Sequence, residues 1–496
     1  MSWPVSAFSN APAALREILA ASPALRQAYL VGGCVRDALL DLPQKDFDVE
    51  VFGVGYPELA AELSRYGRAD LVGRSFGVIK LTVPAGDTYD FSLPRRDSKT
   101  GPGHKGFGID FDPAITPREA ASRRDFTINS LMLDPRSGEL LDFFGGRRDL
   151  EDRVLRHTSP AFVEDPLRVL RGMQFAARFA LTAAPETVAL CQAIKTSCRE
   201  LPPERIREEW WKWAVKSARP SLGLQFLEET GWIENFPELA ALRGVPQDPE
   251  WHPEGDVLTH TRHCCDSLVA LPAWQNADEE SRGVYHFAVL AHDFGKALTT
   301  VAEQRGDRLR IVSPGHESAS VPLAESFLAR VDLPISLRKR VGPLVACHMV
   351  PNQPFSDRAI RRLAHRLKPE NIQGLCVVMT ADASGRPPRP AAAPPIVAHL
   401  LARAADLQVA ESAPKPILMG RHLIALGLPP GKNLGELLEA AYDAQLEGSF
   451  ETLDSALDWL ANTRAASLPP DTAAKLRDRE NNSPRVPLRP PAESND

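Results

Sequence analysis

Two aspartates, Asp46 and Asp48, stand two residues apart in KDFDVEVF, closely after the Gly32-Gly33 pair of YLVGGCVRDALL. On an extended strand alternate side chains share a face, so both carboxylates point one way while Phe47, Val49 and Val51 point into a core. Carboxylates about 6–7 Å apart along a strand can grip one or two divalent cations from one side. The glycines free backbone N–H groups to approach a phosphate, and the N-terminus of the short helix carrying Arg36 and Asp37 adds a favourable dipole. Together these pieces point to phosphoryl or nucleotidyl transfer. Each alone has a plainer reading, because Asp-x-Asp pairs are frequent on exposed strand faces and Gly-Gly often marks only a turn.

Three further stretches carry chemistry. Asp90, in DTYDFSLP, is either a third carboxylate beside the first two or an ordinary strand-end aspartate. Arg123-Arg124-Asp125 offers guanidinium forks that match phosphate oxygens, with an aspartate able to orient a guanidinium or accept from a ribose hydroxyl; solvated surface is the alternative. In HTSPAFVEDPLRVLRGMQFAARF a helix places Arg168, Arg171 and Arg178 on one side and Leu167, Leu170 and Met173 in an apolar stripe. There, Glu164 and Arg168 could form a surface pair worth ~0.3–0.5 kcal/mol. Asp165-Pro166 also suits an N-cap followed by proline at the first helical position. A different set appears later: His260, His292-Asp293, His316, His348 and Asp382 lie on separate segments of a mainly helical background. Imidazole with carboxylate suits a transition metal or Mg²⁺ with open positions for water.

Elements must be supplied to position these groups, and 496 residues exceed one ordinary core, so three or four units are expected. Strand–helix–strand alternation followed by the strand runs GVIKLTVPA and DTYDFSLP makes the first unit α/β or α+β. RRDSKTGPGHKGF has the glycine, proline and charge of a mobile loop able to cover a substrate, and Gly145-Gly146 suggests a hinge. Trp210, Trp211 and Trp213 belong mostly to a core, with base stacking as the lesser reading. Gly385–Pro395 reads as a stiff, polyproline-like linker, followed by three short helices and, from about Ala465, a disordered tail. The expected units are 1–145, 146–245, 246–410, 411–464 and the tail 465–496.

Composition narrows the function classes. With 43% apolar and 25% charged residues, no run of 18 apolar residues and no basic leader followed by an apolar stretch, the chain reads as a soluble cytoplasmic protein without a membrane partner. Seven cysteines with no C-x-x-C suggest buried thiols in a reducing compartment. A net charge of −6 disfavours a protein that coats nucleic acid indiscriminately. Local basic faces remain at Arg95–Lys105, Arg205–Lys216 and Arg358–Lys368.

The run LVGGCVRD…KDFDVEVF, RRDFTINSL, DFFGGRRDL and EDPLRVLRGMQFAARF resembles the successive motifs of bacterial class II tRNA nucleotidyltransferases. These are the CCA-adding enzymes and their relatives, the bacterial poly(A) polymerases. The resemblance is collinear over about residues 27–240 and looser to about 462. It implies an α+β, polymerase-β-like head, a mainly α-helical body, and tRNA, CTP and ATP as partners. In that family's terms Asp46 and Asp48 are catalytic and hold Mg²⁺, while Gly33, Arg36, Arg124 and Arg171 steady the triphosphate and Asp125 belongs to the nucleotide site. Asp165 and Arg168 would form a protein template for the incoming base, with Glu164 positioning it. Cytosine and adenine share an exocyclic amine that uracil and guanine lack at the matching edge, so such a pair can accept C and A. Gln174 stands where the family usually has arginine.

The third unit resembles the HD phosphohydrolase domain that follows the transferase in some CCA-adding enzymes. That resemblance implies His260, His292, Asp293 and Asp382 as ligands of a divalent metal, with His316 and His348 as additional ones. It further implies hydrolysis of phosphomonoesters or phosphodiesters, including cyclic ones. A poly(A) polymerase, an enzyme adding only part of CCA, and a phosphohydrolase with a relict transferase head are the competing readings.

Overall fold

Alternating burial builds the first sheet. Along 46–51 the side chains run exposed, buried, exposed, buried, half-buried, buried, so one face of the strand enters a core and the other carries Asp46, Asp48 and Glu50. The computed structural model describes residues 11–44, 46–70, 77–99, 107–112, 114–349, 355–464, 468–474 and 476.

The head comprises α1 (Ala13–Ala21), β1 (Ala28–Val31), α2 (Gly33–Leu39), β2 (Asp48–Val51), α3 (Tyr56–Leu63), β3 (Arg68–Asp70), β4 (Val78–Thr82), β5 (Thr88–Ser92), β6 (Arg95–Lys99), β7 (Phe107–Phe111), α4 (Pro117–Ser122), β8 (Met132–Leu133) and β9 (Leu140–Leu141). Seven strands form one mixed sheet in the order β3-β4-β5-β2-β1-β8-β9. Only β2 and β5 run parallel, with Asp48 opposite Asp90; the other neighbours are antiparallel. One sheet face joins the main core, while Val31, Phe52, Ile115, Ala121 and Met132 form a smaller cluster on the other.

Three expectations change in the head. Strand β2 begins at Asp48 rather than Asp46, although the Phe47 carbonyl still accepts from the Asp90 N–H at 3.3 Å. The stretch expected as a mobile loop includes an antiparallel pair, β6 with β7, because its glycines and proline concentrate between two strand-competent runs. Residues 100–106, with the rest of the expected Arg95–Lys105 basic face, lie outside the described residues. Gly145-Gly146 is no simple hinge: Gly145 is left-handed (φ 76°), but a Cβ on Gly146 would come 2.1 Å from the Thr127 carbonyl oxygen. That glycine permits close backbone packing.

The body holds α5 (Gly146–Glu151), β10 (Val154–Leu155), α6 (Leu167–Phe179), β11 (Thr182–Ala183), α7 (Pro185–Ala193), α8 (Pro203–Lys216), α9 (Pro220–Glu229) and α10 (Pro237–Ala240). Helix α6 is central, packing on α8 and α9. Trp210 and Trp213 are fully buried and edge-stacked at 5.3 Å, which leaves them to the core. Then follow α11 (Val257–Ala270), α12 (Pro272–Gln275), α13 (Glu279–Ala291), α14 (Lys296–Thr299), the hairpin β12 (Val301–Arg305) and β13 (Arg308–Val312), α15 (His316–Arg330), α16 (Ile335–Cys347), α17 (Asp357–Arg366), α18 (Ile372–Ser384) and α19 (Pro395–Asp406). Helices α20 (Gly420–Ala425), α21 (Lys432–Leu446) and α22 (Leu453–Thr463) close the C-terminal segment.

One apolar core runs from Ala11 to Ala413, and a separate cluster gathers Leu418 to Leu476. The tail expectation therefore changes at its start: residues 470–474 are helical, and Leu468 and Leu476 are buried in that second cluster. The apolar spacing is too short for a periodicity argument yet suffices once a surface exists to receive it. All seven cysteines are buried and free. No helix among the described residues is long and apolar enough to cross a membrane.

Candidate functional site

The first constellation is the polar face of the head sheet. Asp48 lies opposite Asp90 across the parallel β2–β5 pair, and Asp46 precedes it on the same side. Burial raises the Asp48 carboxyl above its usual range, with Asp90 and Asp46 adding and Arg124 opposing. Like charges held together on partly desolvated backbone call for a cation, which is the fit expected of a divalent-metal site. Lys80 pairs with Asp90 at 3.6 Å. Glu50, unremarked in sequence, continues the acidic face and accepts from the Arg124 guanidinium at 3.0 Å. Its signal was the same i+2 spacing that linked Asp46 to Asp48. Gly32 caps α2 at φ 71°, where a Cβ would meet the Arg124 guanidinium at 3.0 Å. Glycine thus brings Arg124 against the start of α2.

Arg36 differs from the expectation of a phosphate-facing group. It is 4% exposed, donates to Asp37 Oδ1 at 2.6–2.8 Å and to Asn129 Oδ1 at 2.5 Å, and packs over the Phe179 ring at 4.3 Å. The residue locks α2 to the turn after Asp125. Gly33 opens that helix beside it.

The second constellation joins head to body. Asp125 is 7% exposed, and its carboxylate accepts from Arg171 Nε at 2.7 Å, from Asn129 at 2.9 Å and from its neighbour's N–H at 2.8 Å. Burial opposes its charge, but Arg171 and Asn129 outweigh that and hold the carboxyl below its usual range. Asp125 thus orients a guanidinium, that of Arg171, and is buried rather than part of a solvated surface. Arg168 donates to the carbonyls of Ala161 (2.9 Å) and Arg123 (2.6 Å), which aligns it with the Arg-Arg-Asp turn. Glu164 is exposed at the end of a short 3₁₀ turn. Asp165 plays a capping part, accepting from the Leu167 N–H at 3.1 Å through one oxygen, while the other accepts from Arg205 at 3.3 Å. A carboxylate has lone pairs enough for a capping bond and further donors together. Arg205 was legible only as part of a basic helix. Along that helix the charges are largely matched, with Arg207 on Asp332 and Lys212 on Glu209. Gln174 is 2% exposed and its Oε1 has no partner.

The third constellation gathers five helix ends. His260 sits one turn into α11, whose N-cap Asp256 accepts from the Thr259 N–H; His292-Asp293 follow α13; His316 opens α15; His348 follows α16; Asp382 lies near the end of α18. His292, His316 and His348 each donate Nδ1–H to the carbonyl three residues back, at 2.6, 2.8 and 2.7 Å. That bond fixes the tautomer and leaves each Nε2 lone pair facing inward. The Nε2 atoms of His316 and His348 then stand 3.3 Å apart, and His292 Nε2 is buried without a hydrogen-bond partner. Facing lone pairs repel unless a cation lies between them, so the donor set fits a metal. Asp293 lies 3.3 Å from His316 Nε2 and 3.2 Å from His292 Nε2. Burial opposes its charge, yet His292 and Lys296 hold its carboxyl well below the usual range. Burial, reinforced by His292, pushes His348 down to about 4, keeping it a neutral donor. His260 meets Asp382 at 3.1 Å and Glu254 at 2.8 Å.

All six expected residues are brought together. Among the described residues, three groups of metal-capable atoms each fit within 4.8 Å: His260, Cys264, His292 and Asp382; Asp293, His316 and His348; and His252, Glu254 and His260. Cys264, His252 and Glu254 were missed. Cys264 follows His260 by four residues on a helix, the spacing that could have revealed it. Beside the cluster lies a cavity of about 420 Å³ whose lining includes Lys296, Arg305 and Arg386.

With the geometry in place, comparison adds lineage. Residues 28–156 match the family described as the poly A polymerase head domain, and residues 181–242 match one described as a probable RNA and SrmB-binding site of polymerase A. A multifunctional CCA protein of Xanthomonas campestris pv. campestris is 38% identical over 429 residues, spanning 83% of this chain and 96% of the relative. That of Pasteurella multocida is 38% identical over 373 residues, spanning 72% and 84%. In fold, the chain is similar to the Bacillus stearothermophilus CCA-adding enzyme in complex with CTP, with TM-score 0.59, 20% identity, and 95% and 98% of the two chains covered. It is also similar to the Thermotoga maritima enzyme complexed with tRNA, with TM-score 0.52, 20% identity, and 87% and 91% covered.

Proposed function

Since the chain belongs to the family of multifunctional CCA proteins, we propose that it adds CCA to the 3′ ends of tRNA from CTP and ATP in the cytoplasm, and hydrolyses phosphate esters at its histidine–aspartate centre. The observation that carries the first activity is the parallel register that sets Asp48 beside Asp90, with Asp46 on the same face.

Asp46 and Asp48 would hold Mg²⁺, which supplies charge neutralisation at the reacting phosphate and a lowered pKa for the attacking hydroxyl. The chain's own groups do the positioning. Arg124, steadied by Glu50, and Arg171, steadied by Asp125, present fixed guanidinium groups to a triphosphate. Arg36 acts from behind, holding α2 against the Asn129 turn. Asp165 would accept from the exocyclic amine of C or A and Arg168 donate to ring acceptors, with Glu164 at the mouth. The division of labour follows the expected units: transferase chemistry in 1–145, base choice and RNA grip in 146–245, ester hydrolysis in 246–410. In the last, His260, His292, Asp293 and Asp382 would hold a divalent metal with His316 and His348. Lys296 and Arg386 would face the phosphate.

Incorporation of labelled CTP and ATP onto tRNAs ending before CCA, at C and at CC tests the first activity. Growth to CCA followed by a stop is expected. Long tails of A alone would make the chain a poly(A) polymerase, and no addition would leave the histidine–aspartate centre as the working site. Ring opening of 2′,3′-cyclic nucleotides to nucleoside monophosphates, and phosphate release from phosphomonoesters, both lost in His292→Ala, test the second.

A further inference from the structure

Seven of the eight tryptophans fall among the described residues, and six of them are buried or half-buried; Trp251 alone is exposed, at 54%. A large exposed aromatic gives up burial that would stabilise the fold, so its position asks for a reason. Trp251 stands at the lining of the same 420 Å³ cavity that reaches Asp293, His316, His348 and Asp382. The turn that displays it is braced. The Trp251 and His252 N–H groups donate to the Asp248 carbonyl at 3.0 and 2.8 Å, and Arg310 from β13 clamps Asp248 and Glu250 at 3.2 and 2.5 Å. Arg389 lies 5.7 Å from the indole centroid and donates to the Glu250 carbonyl. Lys296, Arg305 and Arg386 line the same cavity and bring positive charge to it beside the metal-capable cluster. An exposed aromatic plate and cations lining one cavity match a planar ring joined to a phosphate, and the cavity volume suits a molecule of nucleotide size.

We propose that Trp251 is the stacking platform for the nucleobase of a nucleoside monophosphate whose phosphate lies toward the histidine–aspartate centre. This rests on the phosphohydrolase reading of that centre and assigns it a specificity-determining residue. Every base has a π face, so the platform favours nucleosides over aliphatic esters without choosing among bases.

The test is calorimetric titration of the full chain, with Mn²⁺ present, using guanosine 3′-monophosphate, glycerol 2-phosphate and an RNA hairpin ending in a 3′-phosphate. Guanosine is chosen because the head's base template is read as rejecting it. Trp251→Ala is expected to weaken guanosine 3′-monophosphate binding about tenfold or more while leaving glycerol 2-phosphate within twofold, and Trp251→Phe to retain most of the affinity. Parallel weakening of the hairpin identifies an RNA end as the source of the ring; hairpin binding that is absent or insensitive to Trp251 identifies a free nucleotide. Unchanged nucleotide affinity in Trp251→Ala, equal loss of both small ligands, or no preference for the nucleotide in the unaltered chain would each overturn the platform. Phosphate release, followed alongside, separates the two ideas. Trp251-dependent binding without turnover removes the phosphohydrolase reading alone, whereas turnover with Trp251-independent binding removes the platform alone.

Discussion

At the scale of single residues, Asp125 shows how a polar group becomes both anchor and instrument. It is buried, and Arg171 compensates it at 2.7 Å. Breaking a buried pair leaves a desolvated charge behind, at about 3–5 kcal/mol. Because the Arg171 side chain keeps 34% exposure, Asp125→Ala should cost about 2 kcal/mol in urea unfolding. The pH sign follows from the lowered folded pKa. The pair's stability is present above the unfolded value near 3.8 and is lost as pH falls through the lower folded value, so Asp125→Asn should flatten the acid limb of a stability–pH curve. Asp165 allows a test of function instead. Asp165→Asn exchanges one acceptor oxygen for a donor, so CTP and ATP should lose about 1–3 kcal/mol of discrimination against UTP and GTP in single-nucleotide incorporation. Unchanged selectivity would remove Asp165 from the template.

Elements decide how these groups meet. Helix α6 carries Arg168 and Arg171 and lies between the head's Phe126 and the body's Phe226, each against Gly172. A Cβ there would stand 2.6 Å from Phe226 Cζ and 3.1 Å from Phe126 Cζ. Gly172→Ala is therefore expected to cost about 1–3 kcal/mol by overpacking, despite alanine's better helix propensity. Thermal melts would read it, and a stabilised variant would contradict the packing. The gathering of histidines is likewise a property of helix ends: five segments converge because α11, α13, α15, α16 and α18 pack together. The spacing within each segment gave residue types, and only the packing gave the centre.

For the whole molecule, the continuous core from Ala11 to Ala413 joins three constellations that nevertheless use separate residues. Asp48→Ala should abolish nucleotide addition, by three orders of magnitude or more for a lost metal ligand, with phosphate release intact. His292→Ala should do the reverse, and joint loss in both variants would mean that one fold-wide defect underlies them. A transition metal at about 100 times its Kd should stabilise the native chain by about 2.7 kcal/mol. His348→Ala should remove that gain in a melting experiment, since facing Nε2 lone pairs are what the metal relieves.

The sequence alone determined that Asp46 and Asp48 share one face of the head, because side chains two apart on extended backbone point the same way. It also named six residues of the third centre, though not Cys264, His252 or Glu254, and placed Trp210 and Trp213 in the core. Local pattern was weaker where glycine and proline dominate, which is why the β6–β7 pair and the packing role of Gly146 emerged only in three dimensions. What the tertiary structure decided was partnership between residues far apart in the chain: Asp48 with Asp90, Glu50 with Arg124, Asp165 with Arg205, and His316 with His348. It also turned Arg36 inward and left Trp251 outside. Periodicity reports the face a residue takes on its own element, whereas burial and pairing depend on which other element arrives there.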